Sequence, residues 1–159
     1  MAQVYKLMVK AELENVAKVK FPEQWSLKVQ DSSSDETRDV IVDPTNEEEI
    51  TGSRGTCNFK LKFPGQKKEA WLNVVEPKKA QISYLTADTA GEYVTVIGFE
   101  CRGMEPIEWN HKDGFFTVEA ESGKMFNEVS FAEDDFFDYD EDADASIGVS
   151  EIEYKIERE

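Results

Sequence analysis

The dominant pattern along the chain is alternation. Residues 3–13, QVYKLMVKAEL, place Tyr5, Leu7, Val9, Ala11 and Leu13 on one side, with Lys6, Lys10 and Glu12 among the residues on the other. A period of two is the signature of a half-buried strand, because successive side chains leave a strand on opposite faces. The same period recurs in WSLKV (25–29), NFKLKF (58–63), AWLNVV (70–75), QISYLT (81–86), EYVTVIGFEC (92–101), GFFTVEA (114–120) and VSEIEYKIE (149–157), and DVIVD (39–43) and EVSFAE (128–133) offer shorter strands. No segment sustains an apolar helical repeat over three turns. The pattern predicts a mostly β protein with little helix, an antiparallel sandwich or barrel. Between the strands lie turn-rich stretches at 30–39, 43–55, 63–68 and 75–79; in FPGQ (63–66), Pro and Gly hold the two central positions of a hairpin turn.

A weak internal repeat refines this architecture. Residues 7–21 align with 95–109 without a gap, matching Val9 to Ile97, Asn15 to Gly103, Val16 to Met104 and Phe21 to Trp109. Each stretch then continues into an aromatic strand, a polar turn and a short apolar strand. The expectation is one elongated domain over 1–159 made of two pseudo-symmetric lobes, about 1–80 and 81–159, with their edges paired.

Charge narrows the partners. The chain carries 34 acidic and 18 basic residues, a net charge of −16, which repels nucleic acid and anionic membranes over about 8 Å at physiological salt. Neither is expected as a partner. The lysines at 60, 62, 67, 68, 78 and 79 read as a solvated strand edge guarded against aggregation. The N-terminus alternates with polar residues and has no apolar run of signal-peptide or membrane-spanning kind, so a cytoplasmic protein, also compatible with the nucleus, is expected.

Candidate chemistry is sparse. Cys57 and Cys101 are far apart and in no CxxC spacing. Cys101 alternates with Phe99 and Ile97 on a buried face, whereas Cys57 falls in a turn or strand start expected to be exposed. His111, the single histidine, lies in the turn WNHKDG without neighbours suited to acid–base or metal work. No phosphate loop or nucleophile elbow occurs, so no catalytic residues and no cofactor are assigned and the chain is expected not to be an enzyme. In EDDFFDYDEDADAS (133–146), Asp138, Asp140, Asp142 and Asp144 alternate like the opening of a calcium loop, but Ala143 and Val149 stand where Gly and a bidentate Glu are required. The tract reads as a solvated acidic loop, able to dock a basic partner, with Phe136, Phe137 and Tyr139 as core pegs that pin it.

The elements FECRGMEP (99–106), ESGKMF (121–126), DYDE (138–141), SIGVSE (146–151), AELENV (11–16) and SRG (53–55) resemble the eukaryotic family of CXXC-motif-containing zinc-binding proteins, and the similarity spans nearly the whole chain. The resemblance implies one structural zinc held by two CxxC pairs on neighbouring hairpin turns. It also implies that the cysteine places are Asp31 and Ser34 after WSLKVQ, and Phe63 and Gln66 at the FPGQ turn. With no thiolate at any of the four, a metal-free member is expected. Within the CRGMEP segment, Arg102 and Glu105 are candidates for a binding role or a buried ion pair between lobes. The functional expectation is a monomeric, non-enzymatic interaction or adaptor protein with a protein partner. The alternatives are a carboxylate-based metal-handling or metal-sensing protein, and a binder of small molecules in a cavity between the lobes.

Overall fold

A computed structural model describes residues 2–159. In chain order the strands are β1 (Gln3–Glu14), β2 (Val16–Lys20), β3 (Trp25–Asp31), β4 (Thr37–Val42), β5 (Glu48–Glu49), β6 (Thr56–Cys57), β7 (Phe59–Leu61), β8 (Ala70–Val75), β9 (Tyr84–Thr86), β10 (Val94–Arg102), β11 (Met104–Trp109), β12 (Phe116–Ala120), β13 (Met125–Val129), β14 (Phe136–Asp140) and β15 (Ala145–Arg158). The helical content of the described residues is one 3₁₀ turn, Ala87–Thr89, and no helix is long and apolar enough to cross a membrane. Every strand pair is antiparallel. The protein is thus mostly β, as the alternation predicts.

The strands form a six-stranded sheet in the order β14-β15-β1-β10-β8-β7, a three-stranded sheet β11-β3-β4, a four-stranded sheet β13-β12-β2-β9 and a small β5-β6 pair. This order is symmetric. β1 pairs β10 at the centre, β15 flanks β1 as β8 flanks β10, and β14 and β7 close the two edges. Outside that sheet, β2 of the first half pairs β12 of the second, while β11 of the second half pairs β3 of the first. The two halves therefore share every large sheet and do not form lobes joined at their edges. The sequence repeat at 7–21 and 95–109 falls on β1–β2 and β10–β11, and its matched residues Phe21 and Trp109 stack on each other, 5.6 Å apart and 4° from parallel.

One core fills the space between the sheets. Leu7, Val9 and Ala11 of β1 face it, together with Trp25, Leu27 and Val29 of β3, Phe99 and Cys101 of β10 and Ile147 and Val149 of β15. Trp25 meets Phe99 edge to face at 6.0 Å, and Phe116 meets Phe131 at 4.6 Å. Such offset contacts add about 0.5–1.5 kcal/mol per pair to the burial of the rings. Among these side chains the interior leaves a void of about 10 Å³, lined by Val9, Phe21, Phe116 and Phe131 among others. That is far too small for a ligand cavity.

Where each first strand turns into the second, the backbone bends in the left-handed region, at Asn15 (φ 52) and at its repeat counterpart Gly103 (φ 79). A Cβ on Gly103 would sit 3.1 Å from the Cβ of Ala70, so glycine meets both a conformational and a packing demand there. Several element boundaries differ from the alternation. β2 and β11 are separate strands beyond these two bends, and β15 extends beyond 149–157 at both ends, over Ala145–Arg158. The 128–133 segment is strand only to Val129. Cys57 is buried instead of exposed, because β6 pairs Glu48–Glu49 and turns the thiol inward. The acidic stretch 133–146 is not one loop: Phe136–Asp140 is the edge strand of the large sheet.

Candidate functional site

The site begins with two hairpin turns that the fold brings side by side. The first joins β3 to β4 and begins at Asp31; the second, 63–66, lies between β7 and β8. Their four positions 31, 34, 63 and 66 meet through one carboxylate. Asp31 is buried, with only 4% of its surface exposed. Its Oδ1 accepts the backbone N–H of Ser33 at 3.1 Å, and its Oδ2 accepts the Ser34 hydroxyl at 2.9 Å and the Gln66 side-chain amide at 3.0 Å. The bond from Gln66 crosses from one turn to the other, 35 residues apart in sequence. Each turn is closed by its own backbone bond, Ser34 N–H to Asp31 O and Gln66 N–H to Phe63 O. Phe63 occupies the fourth position and belongs to the hydrophobic core.

A second arrangement of the same kind stands in the other half, on the turn between β12 and β13 and the turn between β14 and β15. Here the enclosed carboxylate is Asp140, fully buried. Its Oδ2 accepts the hydroxyl of Ser122 from the neighbouring turn, and its Oδ1 accepts the backbone N–H groups of Asp142 at 3.2 Å and Ala143 at 3.3 Å. The Ser122 hydroxyl, followed by those two N–H groups, holds the Asp140 carboxyl below the usual carboxylate range, since hydrogen bonds to the ionised form favour it. The equivalence of the two sites is fixed by backbone. Ser32, next to Asp31, donates its N–H to Gly103 O, and Glu121, next to Ala120 in the matching turn, donates its N–H to Asn15 O.

This arrangement bears on whether the residues fit a zinc ion. The four first-half positions present a carboxylate, a hydroxyl, an amide and a phenyl ring. The three polar groups are already spent on one another, and the phenyl ring has no lone pair to offer. Among the described residues no group of three or more His, Cys, Asp or Glu side chains is placed to hold an ion. The residues do not fit zinc, whose closed sites use four N or S donors.

The remaining candidates scatter. Asp138, Asp142 and Asp144 are exposed while Asp140 points inward, so the alternate aspartates do not converge and the reading of 133–146 as wholly solvated fails at Asp140. Phe136 packs on Phe126 at 5.8 Å, but Phe137 and Tyr139 are exposed instead of acting as core pegs. Arg102 is exposed and beside Lys62, Lys67, Lys68 and Trp71. No ion pair joins it to Glu105 among the described residues, so the buried pair expected from CRGMEP is absent. Glu105 is half-buried and its charge, after burial itself, raises the Tyr5 phenol. His111 contacts Asp134 at 3.1 Å and leans on Trp109. Cys57 and Cys101 are both free thiols; burial, the largest cause at each, pushes them above the ordinary thiol range, strongly so at Cys101. Neither is poised as a nucleophile. Sequence reasoning missed Ser122 and the inward turn of Asp140, and the gapless repeat, which extends to place Asp31 opposite Glu119, gives no signal for either.

A β protein of two interlocked halves, each closing a pair of neighbouring hairpin turns on one point, is the class this geometry defines. Its sequence matches the family described as CXXC motif containing zinc binding protein, eukaryotic, over residues 6–157, and the chain belongs to that family. It is 34% identical over 155 residues to the Drosophila melanogaster UPF0587 protein CG4646, covering 94% of this chain and 93% of that one. To the human CXXC motif containing zinc binding protein it is 29% identical over 154 residues, covering 94% of each. Among solved structures, a hypothetical protein from Plasmodium falciparum superimposes with a TM-score of 0.86 at 30% identity, covering 96% of this chain and 98% of that chain. C1orf123 does so at 0.84 and 26%, with the same coverage.

Proposed function

We propose that this chain is a non-enzymatic interaction protein of the cytoplasm that has exchanged a structural metal for a hydrogen-bonded carboxylate. The observation that carries the reading is the Asp31 hub. At the positions where the family resemblance implies thiolates, one carboxylate accepts bonds from both turns and so performs the bridging task of a closed zinc site. A structural zinc contributes on the order of 10 kcal/mol in small finger domains; a three-bond hub contributes far less, and the large shared core of this fold supplies the remainder. The absence of a catalytic role is supported by two inert thiols and a histidine bound to a surface aspartate. An interaction role is supported by exposed aromatic side chains on the sheet edge. The carboxylate-based metal-handling alternative draws no support from aspartates that point in opposite directions.

The test is elemental analysis of the purified, untagged protein together with thermal melts with and without a strong chelator. Sub-stoichiometric metal and an unchanged melt are expected. One metal per chain, or a melt that falls on chelation, would overturn the reading.

A further inference from the structure

We propose that the outer face of β14, built from Phe137 and Tyr139, is a docking platform for an extended, arginine-bearing peptide segment of a partner protein. β14 is the terminal strand of the six-stranded sheet and pairs only with β15. Phe137 is 64% exposed and Tyr139 43%, two residues apart and therefore on the same side of the strand. Their neighbour Phe136 points the opposite way, into the core. The exposure is built in. Phe137 lies across from Gly148, and a Cβ at Gly148 would be 3.0 Å from two ring atoms of Phe137. The bare glycine lets the ring lie down on the sheet as a flat surface.

What such a surface binds follows from its surroundings. Glu133 and Asp135 precede the strand and Glu141, Asp142 and Asp144 follow it, all exposed, and none takes part in an ion pair among the described residues. Elsewhere the molecule covers an aromatic ring with its own cations. Tyr93 carries Lys10 at 4.9 Å and Lys155 at 4.5 Å, and Tyr84 carries Lys18 at 4.6 Å. Phe137 and Tyr139 carry none. Two rings without a cation, on a strand bracketed by acidic segments without an ion pair, complement a planar guanidinium that stacks on the ring while its N–H groups reach the acids. Lysine would serve less well, lacking the planar fork. The other exposed apolar pair, Ile41 and Phe115, borders grooves that also hold Lys28 and Lys112 and lacks this one-sided charge.

The mode is recognition by the ring face and not addition of a new strand. Asn15 Nδ2 binds the carbonyl of Ser146, so that carbonyl faces β1; by alternation the backbone of Phe137 and Tyr139, opposite Gly148 and Ser146, faces away from β15. The outward N–H of Tyr139 is already taken by its neighbour Asp138, whose Oδ1 accepts it at 2.7 Å. An edge capped by its own aspartate resists pairing with another strand.

This proposal rests on the reading of the chain as an interaction protein, but the two fail separately, since metal content and peptide binding are independent measurements. Fluorescence anisotropy with a labelled nine-residue peptide of alternating Arg and Ser, and with its Lys and Glu counterparts, provides the test. The Arg peptide should bind the full chain more tightly than the Lys peptide, and the Glu peptide not at all. Phe137→Ser/Tyr139→Ser should weaken Arg-peptide binding about tenfold or more, with an unchanged melting temperature, while Phe115→Ser leaves it unaltered. Glu141→Lys/Asp142→Lys, which leaves both rings in place, should also weaken it. Equal affinity in the double-Ser variant would reduce the interaction to diffuse acidity, and no binding of the Arg peptide would remove it; either result overturns the proposal.

Discussion

Asp31 and Asp140 are the two charged side chains enclosed by the described structure, and each sits in one of two matching pairs of turns. Each joins a pair of adjacent hairpin turns by accepting a side-chain donor from the partner turn, Gln66 for Asp31 and Ser122 for Asp140. They do so from opposite turns: Asp31 opens the β3–β4 turn, whereas Asp140 opens the turn between β14 and β15. One chemical solution thus appears twice, assembled from different positions of the repeat.

Removing the first hub should destabilise without unfolding. Asp31→Ala leaves the Ser34 hydroxyl and Gln66 amide without their acceptor, and a loss of about 1–3 kcal/mol is expected for such stranded partners. Urea denaturation reads this as a lower midpoint at an unchanged slope. An unchanged midpoint would mean that the carboxylate bridges nothing of consequence.

The Asp140 carboxyl makes a prediction in pH. Its folded-state value lies below that of the unfolded chain, about 3.9 for a free aspartate. In the acid range the unfolded state therefore holds more protons, and the stabilisation present above that value is lost as pH falls through the folded one. Asp43, Glu69 and Asp134, also lowered, add to the same slope. Melts at pH 7 and near pH 3 should show a shallower acid loss for Asp140→Asn than for the unaltered protein. Identical acid slopes would show that Asp140 is not held in its charged form.

Restoring thiolates should restore metal. The quadruple change Asp31→Cys, Ser34→Cys, Phe63→Cys and Gln66→Cys places four sulfurs on turns that the backbone already holds together. It should bind one zinc per chain, and its melt should fall on chelation. Failure to bind would show that these four positions do not correspond to the family's cysteines.

Both native thiols should be inert while the protein is folded. A thiol-titrating reagent should modify neither Cys57 nor Cys101 in buffer and both in denaturant, because burial disfavours the thiolate that reacts. Rapid reaction of one thiol in the native protein would place that cysteine at the surface.

The β content was legible in the sequence because the exposed face of most strands is polar. β1 shows this directly, with Leu7, Val9 and Ala11 inside and charged residues such as Lys10 and Glu12 outside. β14 was not, since its outward residues are the aromatics Phe137 and Tyr139 and its inward ones include Asp140, the reverse of the usual code. The weak repeat falls on β1–β2 and β10–β11, and β1 pairs β10 at the centre of the large sheet. It could not disclose that β11 joins β3 and β12 joins β2, because alternation specifies which face of a strand is buried and not which strand lies beside it. The four family positions are assigned by resemblance alone; the bond from Gln66 to Asp31 depends on how two distant turns meet.

The exchange of strands between halves also governs how the chain must assemble. β1 is flanked by residues 94–102 and 145–158, so its second neighbour lies more than a hundred residues further along the chain. Neither half has a complete sheet of its own to form early. Closure over such sequence separations is slow, and β1 must keep one edge open until residues 145–158 reach it.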